Sequence, residues 1–175
     1  MSAMPTVVCN SGPLITLGKL NRLDLLLDLY GQVQITTSVY DEVVTQGMAR
    51  GMSDALTVRL FWQRQRWPIV TVPEAVLTAY TPLVILDPGE IEVLALAQTL
   101  AEPLVLLDDE TARAEARRVG LHVRGTLGVL AQAHRQGLLS FPQLELLINE
   151  IAARPDIWIA TRLCEQVLEI SRSCS

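Results

Sequence analysis

The sequence predicts a three-layer α/β domain in which a parallel sheet of about five strands lies between helices, with extra helices at the C-terminal end. Short runs rich in apolar and β-branched residues recur along the chain, and they look like strands buried on both faces. Segments with helical spacing of leucine and alanine separate these runs, and strands that alternate with helices build parallel sheets. With 175 residues, of which 50% are hydrophobic, the chain is long enough to form one substantial core.

Five of the apolar runs predict strands that are buried on both faces. They span residues 6–9, 33–36, 69–72, 104–107 and 121–123. Each run is four residues or fewer, which is a usual length for a strand and too short for a helix.

Helices are predicted between and after the strands. Leucines at helical spacing over residues 13–30 predict two short helices, broken near Asn21. A helix is predicted to begin at Ser38, and another is predicted to end at Gly120. The remaining predicted helices span residues 53–66, 89–100, 110–119, 126–135, 142–153 and 157–171, with a turn at 154–156.

We expect residues 1–175 to form a single domain, with a core over about residues 6–139 and a helical appendage over about 140–175. The apolar residues of the appendage either complete the core or form an interface with a second copy or a partner. These residues are Leu144, Leu147, Ile148, Ile157, Ile159, Leu163, Val167 and Leu168. No basic N-terminal segment with an apolar run is found, so we expect a soluble, cytoplasmic protein.

Charge, cysteine spacing and missing motifs argue against several classes of function. The net charge of -5 argues mildly against a nucleic-acid partner, because phosphates are bound mainly by Lys and Arg. The three cysteines, Cys9, Cys164 and Cys174, lack the CxxC spacing of a zinc site and are odd in number, which argues against a disulfide framework. The chain also lacks the GxxxxGK[ST], GxGxxG and GxSxG patterns of nucleotide-binding loops and serine hydrolases.

Polar residues lie where the predicted strands and helices meet. In open parallel sheets, ligands bind outside the carboxyl ends of the strands. The residues expected at or near that edge are Asn10, Ser11, Asp41, Glu42, Glu90, Glu92, Asp108 and Asp109. Two carboxylates about 4 Å apart repel by roughly 4 kcal/mol at an effective dielectric of 20, so a cation is expected among them. Oxygen ligands without His or Cys favour Mg²⁺ or Mn²⁺, which can polarise a phosphodiester.

Each of these polar residues also has a structural interpretation. Asp87 and Glu90 have the spacing of a capping box, and Asp109 is placed to cap the helix that follows it. Ser38 and Asp41 are candidates for the same role one helix earlier, and Asn10 for the helix predicted near Pro13. Both interpretations stay open at the level of the sequence.

Five stretches follow one another over most of residues 6–139: VVCNSGPLITLGKLNRLDLL, ITTSVYDEVVTQG, LDPGEIEVLALA, LVLLDDETARAEARRVGL and GTLGVLAQAHRQGLL. In this order and spacing they resemble the PIN-domain family, in its DUF3368 branch, which is related to VapC-type toxin ribonucleases. The resemblance implies a Mg²⁺- or Mn²⁺-dependent endoribonuclease. By position, the family's catalytic and metal-binding acids fall on Asn10, Glu42, Glu90 and Asp109 or Asp108, with Ser11 as an adjacent hydroxyl and Glu92 as an alternative to Glu90.

Asn10 departs from the family pattern, which has an acid at this position. An amide oxygen can bind a metal ion but carries no full charge, so metal affinity should fall. We therefore expect an endoribonuclease for single-stranded RNA, the toxin of a toxin-antitoxin pair, attenuated by Asn10. The alternative is a catalytically silent module of the same fold that binds RNA or a protein.

Partners follow from the same resemblance and from one further segment. We expect a cognate antitoxin and a homodimer. Arg59, Arg64 and Arg66 lie near the aromatic residues Phe61, Trp62 and Trp67 and are predicted to contact RNA. The alternative for this segment is an amphipathic helix that packs its aromatic side chains inward.

Overall fold

The computed structural model describes residues 5–173, and over that range it contains a five-stranded, all-parallel sheet in the order β3-β2-β1-β4-β5. The strands are β1 (Thr6–Cys9), β2 (Val33–Thr36), β3 (Ile69–Val70), β4 (Pro103–Leu106) and β5 (His122–Arg124). Helices flank the sheet in a three-layer arrangement, which confirms the predicted fold class.

Strand β1 lies at the centre of the sheet and pairs with β2 and β4. Val7 lies opposite Val33 on one side and Leu104 on the other. Cys9 lies opposite Leu106, and the Asn10 N–H donates to the Leu106 carbonyl at 2.9 Å. The chain therefore leaves β1 and β4 at the same edge of the sheet, which brings Asn10 close to the residues that follow β4.

The helices that precede β4 are α1 (Ser11–Lys19), α2 (Asp24–Tyr30), α3 (Thr37–Tyr40), α4 (Gly47–Ala49), α5 (Ser53–Gln65), α6 (Glu74–Ala79) and α7 (Pro88–Ala97). Those after β4 are α8 (Glu110–Arg118), α9 (Thr126–Arg135), α10 (Phe141–Ala153) and α11 (Thr161–Ser173). Helix α7 packs against β1, β2 and β4, and α2 and α9 pack against β2 and β5 respectively. Asn21 has a φ of 54°, which accounts for the break between α1 and α2.

The two edge strands differ from the prediction. Strand β3 ends at Val70 rather than Val72, and Ile69 is 43% exposed; His122 of β5 is also exposed. The prediction of burial on both faces is therefore wrong for these strands, because edge strands lack the neighbouring strand and the full helix cover of the centre. Strands β4 and β5 are displaced by one residue from the predicted spans.

Three features of the helices also differ. Helix α6 was not predicted, and α11 begins at Thr161 rather than Ile157, since residues 157–160 are not helical. Helix α3 begins at Thr37, and the Thr36 hydroxyl accepts from the Val39 N–H at 3.3 Å. Thr36 therefore takes the capping role predicted for Ser38, because the strand passes directly into the helix.

The appendage packs on the rest of the chain through α9, which contacts both α10 and α11. Leu144 and Ile148 are fully buried, and Leu163 and Val167 of α11 pack against the same core. This burial supports the interpretation that the appendage completes the core. Cys174 lies outside the described residues.

Among residues 5–173, no helix combines the length and the apolar character that crossing a membrane would require.

Candidate functional site

Asn10 occupies the N-cap position of α1 but does not cap the helix. Its backbone is extended, at φ -84° and ψ 173°, and its side chain makes no capping hydrogen bond. The residue is 8% exposed. The capping interpretation of Asn10 is therefore wrong, because the helix begins at Ser11, directly after the strand. The amide is left at the carboxyl end of the central strand, where ligands bind in parallel sheets.

Ser11 joins the end of β1 to the segment after β2. Its hydroxyl donates to Glu42 Oε2 at 2.6 Å, across 31 positions in the sequence. Glu42 lies in a π-helical segment (Asp41–Gln46) that continues α3. This wide helical form is rare and occurs often at functional sites. Asp41, beside it, is exposed and accepts from Gln46 Nε2 at 2.9 Å.

Glu90 stands at the beginning of α7, close to Glu42. Its Oε2 accepts the Asp87 N–H at 3.0 Å, so the capping interpretation holds for this oxygen. A β-carbon on the preceding Gly89 would lie 3.8 Å from Glu42 Oε2, so the two segments approach closely. Burial raises the pKa of Glu90, and the negative charges of Asp109, Asp87 and Glu42 add to that rise. Glu90 is thus within electrostatic range of acids from two other segments.

The two aspartates after β4 have different surroundings. Asp108 accepts from the Thr126 N–H at 2.7 Å and from the Thr126 hydroxyl at 2.6 Å. Burial raises the pKa of Asp108, whereas these bonds and the charge of Arg113 lower it. Asp109 is exposed, and its Oδ1 accepts the Ala112 N–H at 2.8 Å as the N-cap of α8. Asp108 is therefore held by α9, while Asp109 keeps one carboxylate oxygen outside its capping bond.

Four separate segments converge at this edge of the sheet. A β-carbon on Gly12 would lie 3.4 Å from Asp108 Cβ, which brings the beginning of α1 against the end of β4. The Ser11–Glu42 bond and the approach of Gly89 to Glu42 connect the other two segments. Glu92 follows Glu90 by two residues on α7, and its buried Oε2 has no hydrogen-bond partner among the described residues.

The candidate metal ligands at this edge all offer oxygen, which suits a hard divalent cation. Glu42, Glu90 and Asp109 each offer a carboxylate oxygen, and Asn10 offers an amide oxygen. Each of the three carboxylates already uses one oxygen in a protein hydrogen bond. Over residues 5–173, no three His, Cys, Asp or Glu side chains stand close enough together to hold a metal ion. An ion would thus have to draw the carboxylates inward and use the oxygens that the protein leaves open.

Two cavities lie beside the acidic residues. One, of about 620 Å³, is lined by Glu42, Asp87 and Gly89 and by polar residues of α3 and its continuation, with Arg50. The other, of about 520 Å³, lies between the start of α8, β5 and residues 158–167, and it is lined by Asp109, Arg113 and Trp158 among others. No sequence motif indicated this second cavity, although Trp158 is an aromatic residue beside the predicted turn.

The arginine-rich segment lies on and after α5. Trp62 and Trp67 are 2% and 6% exposed, with ring centroids 5.0 Å apart, and Phe61 packs edge-on to Trp67. These two tryptophans pack inward and cannot stack on a base. Arg64 lines a different cavity from the two beside the acids, and Arg59 Nη1 contacts the Met48 sulfur. Arg59, Arg64 and Arg66 line neither of the two cavities beside the acids, and RNA contact by them stays a prediction.

A family model described as "PIN domain", DUF3368, matches residues 6–173. The match runs from the first strand to the end of α11, so it includes every candidate residue and the C-terminal helices. No curated protein matches the chain.

Proposed function

Because this chain belongs to the PIN-domain family, we propose that it is a metal-dependent endoribonuclease that cuts single-stranded RNA, with activity attenuated by Asn10. PIN domains have a nuclease-like fold and generally use divalent metal ions. Beyond these family properties, we propose the RNA substrate, a role as a toxin, and the individual site residues.

The observation that carries the proposal is the 2.6 Å hydrogen bond from Ser11 to Glu42. It ties the carboxyl end of the central strand to an acid 31 positions later. Together with the approach of Gly89 to Glu42 and of Gly12 to Asp108, it supports a common site for acids from distant segments. Helix capping accounts for Glu90 and Asp109 taken singly, but it does not require Glu42 to meet the end of β1.

In the proposed site, Glu42, Glu90 and Asp109 would hold a Mg²⁺ or Mn²⁺ ion, with Asn10 as a neutral donor and Asp108 next to Asp109 in the chain. When bound, the ion would polarise the phosphodiester and lower the pKa of the attacking water. The Ser11 hydroxyl orients the Glu42 carboxylate, and Thr126 orients Asp108. The capping bonds fix Glu90 and Asp109 on the rigid first turns of their helices.

Asn10 also favours a second candidate, a catalytically silent module of the same fold. Replacing a carboxylate by an amide removes one negative charge from the ion's surroundings and weakens the binding of a hard cation. The absence of a close carboxylate triad among residues 5–173 is consistent with this candidate. Such a module would bind RNA or a protein without cutting.

The Asn10→Asp variant tests the two candidates against each other. Restoring the carboxylate should raise Mn²⁺-dependent cleavage of unstructured RNA by roughly 10- to 100-fold over the wild-type protein. Asn10→Ser is the matched control, since it also changes the residue but restores no charge. If neither the wild-type protein nor Asn10→Asp cuts RNA, the nuclease proposal is wrong and the silent module is favoured.

The proposed partners follow from the family. Proteins of the PIN family generally bind RNA and antitoxins. We propose a cognate antitoxin, a homodimer and a cytoplasmic location for this chain. The antitoxin and the homodimer can be tested by co-expressing the chain with the protein encoded by the adjacent reading frame and measuring the mass of the complex. A monomer that does not bind that protein would contradict both proposals.

A further inference from the structure

We propose that the cavity between the start of α8, β5 and residues 158–167 binds one unpaired RNA base, stacked on the indole of Trp158. This inference rests on the proposed function, because it names a position for the RNA beside the acids that would cut it. The cavity has a volume of about 520 Å³, which is large enough for a nucleobase and its sugar.

Trp158 is 93% exposed, in contrast to the other two tryptophans of the protein. It lies between Ile157, which is 7% exposed, and the half-buried Ile159. The backbone is not helical over residues 157–160, so the two isoleucines turn inward and the intervening indole turns outward. Exposing an indole is costly in hydrophobic free energy unless a ligand covers it, and here the ring lines a cavity.

The position of Trp158 is fixed by ion pairs just before it. Arg154 binds both carboxylate oxygens of Asp156 at 2.9 Å, and Lys19 Nζ donates to the Asp156 carbonyl at 2.6 Å. These bonds attach the segment to the end of α1. The backbone that bears the indole is therefore anchored close to Trp158, which lowers the entropic cost of ordering this segment when a base binds.

Arg113 faces the same cavity from α8 and provides a hydrogen-bond donor. Its Nε is buried and has no hydrogen-bond partner among the described residues. A β-carbon on Gly125 would lie 3.1 Å from Arg113 Nη1 and 2.9 Å from Asp108 Oδ1, so a side chain there would fill the space that Gly125 leaves open. Arg113 lines the cavity, and a planar guanidinium suits the carbonyl or ring-nitrogen acceptors of a base.

Arg124 lines the same cavity. Its Nη1 donates to Tyr30 Oη at 3.2 Å and to Gln132 Oε1, which holds the guanidinium in place. The absence of a side chain on Gly128 lets Arg124 cross α9, since a β-carbon there would lie 2.7 Å from Arg124 Cγ. Asp109 and Glu110 line the same cavity. With both charge signs present, the cavity suits a neutral aromatic base better than a bare phosphate, which the acids would repel.

The proximity of this cavity to the acids gives it a role in positioning. Asp108 and Asp109 line it, and Asp109 is one of the proposed metal ligands. A base stacked on Trp158 would place the adjoining phosphodiester near the carboxylates. Recognition by stacking tolerates any base, so this contact predicts a preference for unpaired RNA and not for a sequence.

Intrinsic tryptophan fluorescence tests the inference directly. Trp62 and Trp67 are buried, so an added ligand that covers an exposed indole reports on Trp158. We expect an unstructured oligoribonucleotide of about eight nucleotides to quench the emission, with a chelator present so that the RNA stays intact. The quenching should disappear in Trp158→Phe, whereas binding measured by fluorescence anisotropy of a labelled RNA should be largely retained in that variant.

Trp158→Ala should weaken RNA binding by about 5- to 100-fold, which is the usual loss for a stacked base. Ile170→Ala, at a 65% exposed position of α11, is the control and should bind as the wild-type protein does. Thermal melting of each variant establishes that it is folded. Equal affinity of Trp158→Ala and wild type, equal loss in Ile170→Ala, or equal quenching by inorganic polyphosphate, which has no bases, would overturn the proposal.

Cleavage measured separately with Mn²⁺ distinguishes this inference from the proposed function. RNA binding that depends on Trp158, without cleavage by any variant, would support the inference and contradict the nuclease. If Trp158→Ala cuts RNA as fast as the wild-type protein and binds it with the same affinity, the nuclease would be supported and the base-stacking inference contradicted.

Discussion

At the scale of single residues, Asp109 and Glu90 cap helices and are also proposed metal ligands. Each carboxylate caps a helix with one oxygen and leaves the other for a ligand. Capping orients the side chain and fixes it at the first turn of a helix, where the partial positive charge of the helix also favours an anion. The structural and functional interpretations of these acids are therefore compatible.

Variants at Asp109 separate the two roles. Asp109→Ser keeps an oxygen that can cap α8, so its stability should stay close to that of the wild-type protein, whereas Asp109→Ala should lose about 1 kcal/mol. Both variants remove the carboxylate, so both should lose RNA cleavage by roughly 100-fold or more. Chemical denaturation and a cleavage assay provide the two readouts. Wild-type cleavage by Asp109→Ser would show that this carboxylate is not a ligand.

At the scale of elements, Glu115 of α8 anchors the chain that leads into α7. It is 2% exposed, and it accepts from Arg118 at 2.8 and 2.6 Å, from the Leu83 N–H at 3.2 Å and from Tyr80 Oη at 3.2 Å. The segment it holds ends at Asp87, where the helix bearing Glu90 begins. The buried Glu115 carboxylate, paired with Arg118 within α8, thus holds this segment through the bonds from Tyr80 and Leu83 and contributes to the placement of a proposed ligand.

This anchor predicts a dependence of stability on pH. The bonds from Arg118 lower the pKa of Glu115 from 4.5 to about 2, so the folded state favours the ionised form. The stabilisation is complete above the pKa of the unfolded chain and is lost as the pH falls towards about 2. In Glu115→Gln, the free energy of unfolding should be lower near neutrality, by about 1–3 kcal/mol, and should fall less between about pH 5 and 3.

Denaturant titrations at several pH values measure that difference. Glu169→Gln is the control, because Glu169 lies at an exposed position of α11 and should leave the acid-dependent loss of the wild type unchanged. Identical pH profiles for Glu115→Gln and the wild-type protein would contradict the role assigned to this ion pair.

At the scale of the whole molecule, the parallel sheet determines which residues meet. The parallel pairing of β1 with β2 and β4 directs the segments after these strands to one edge, and α7 packs across the same three strands. Residues as far apart in sequence as Ser11 and Asp108 come together there through Gly12. The charge that accumulates at this edge is what a bound cation would offset.

Calorimetric titration with Mn²⁺ tests this edge without an RNA substrate. We expect weak binding by the wild-type protein, tighter binding by Asn10→Asp and weaker binding by Glu42→Gln, each by about 10-fold or more. Because an ion that binds only the folded state stabilises it, saturating Mn²⁺ should also raise the melting temperature, and a chelator should reverse the rise. Equal heats for Glu42→Gln and the wild-type protein would exclude Glu42 as a ligand.

The fold class and the central strands could be predicted from the sequence, because residues 6–9 and 33–36 are short and rich in the β-branched residues that favour strands. It also indicated the N-cap at Asp109 and the break at Asn21, which depend on neighbouring residues alone. Three features emerged from the folded structure alone: Asn10 does not cap α1, Trp62 and Trp67 pack inward, and Trp158 lines a cavity beside Asp109. Local patterns record the preferences of short segments, whereas burial and convergence depend on contacts between segments that are distant in the chain.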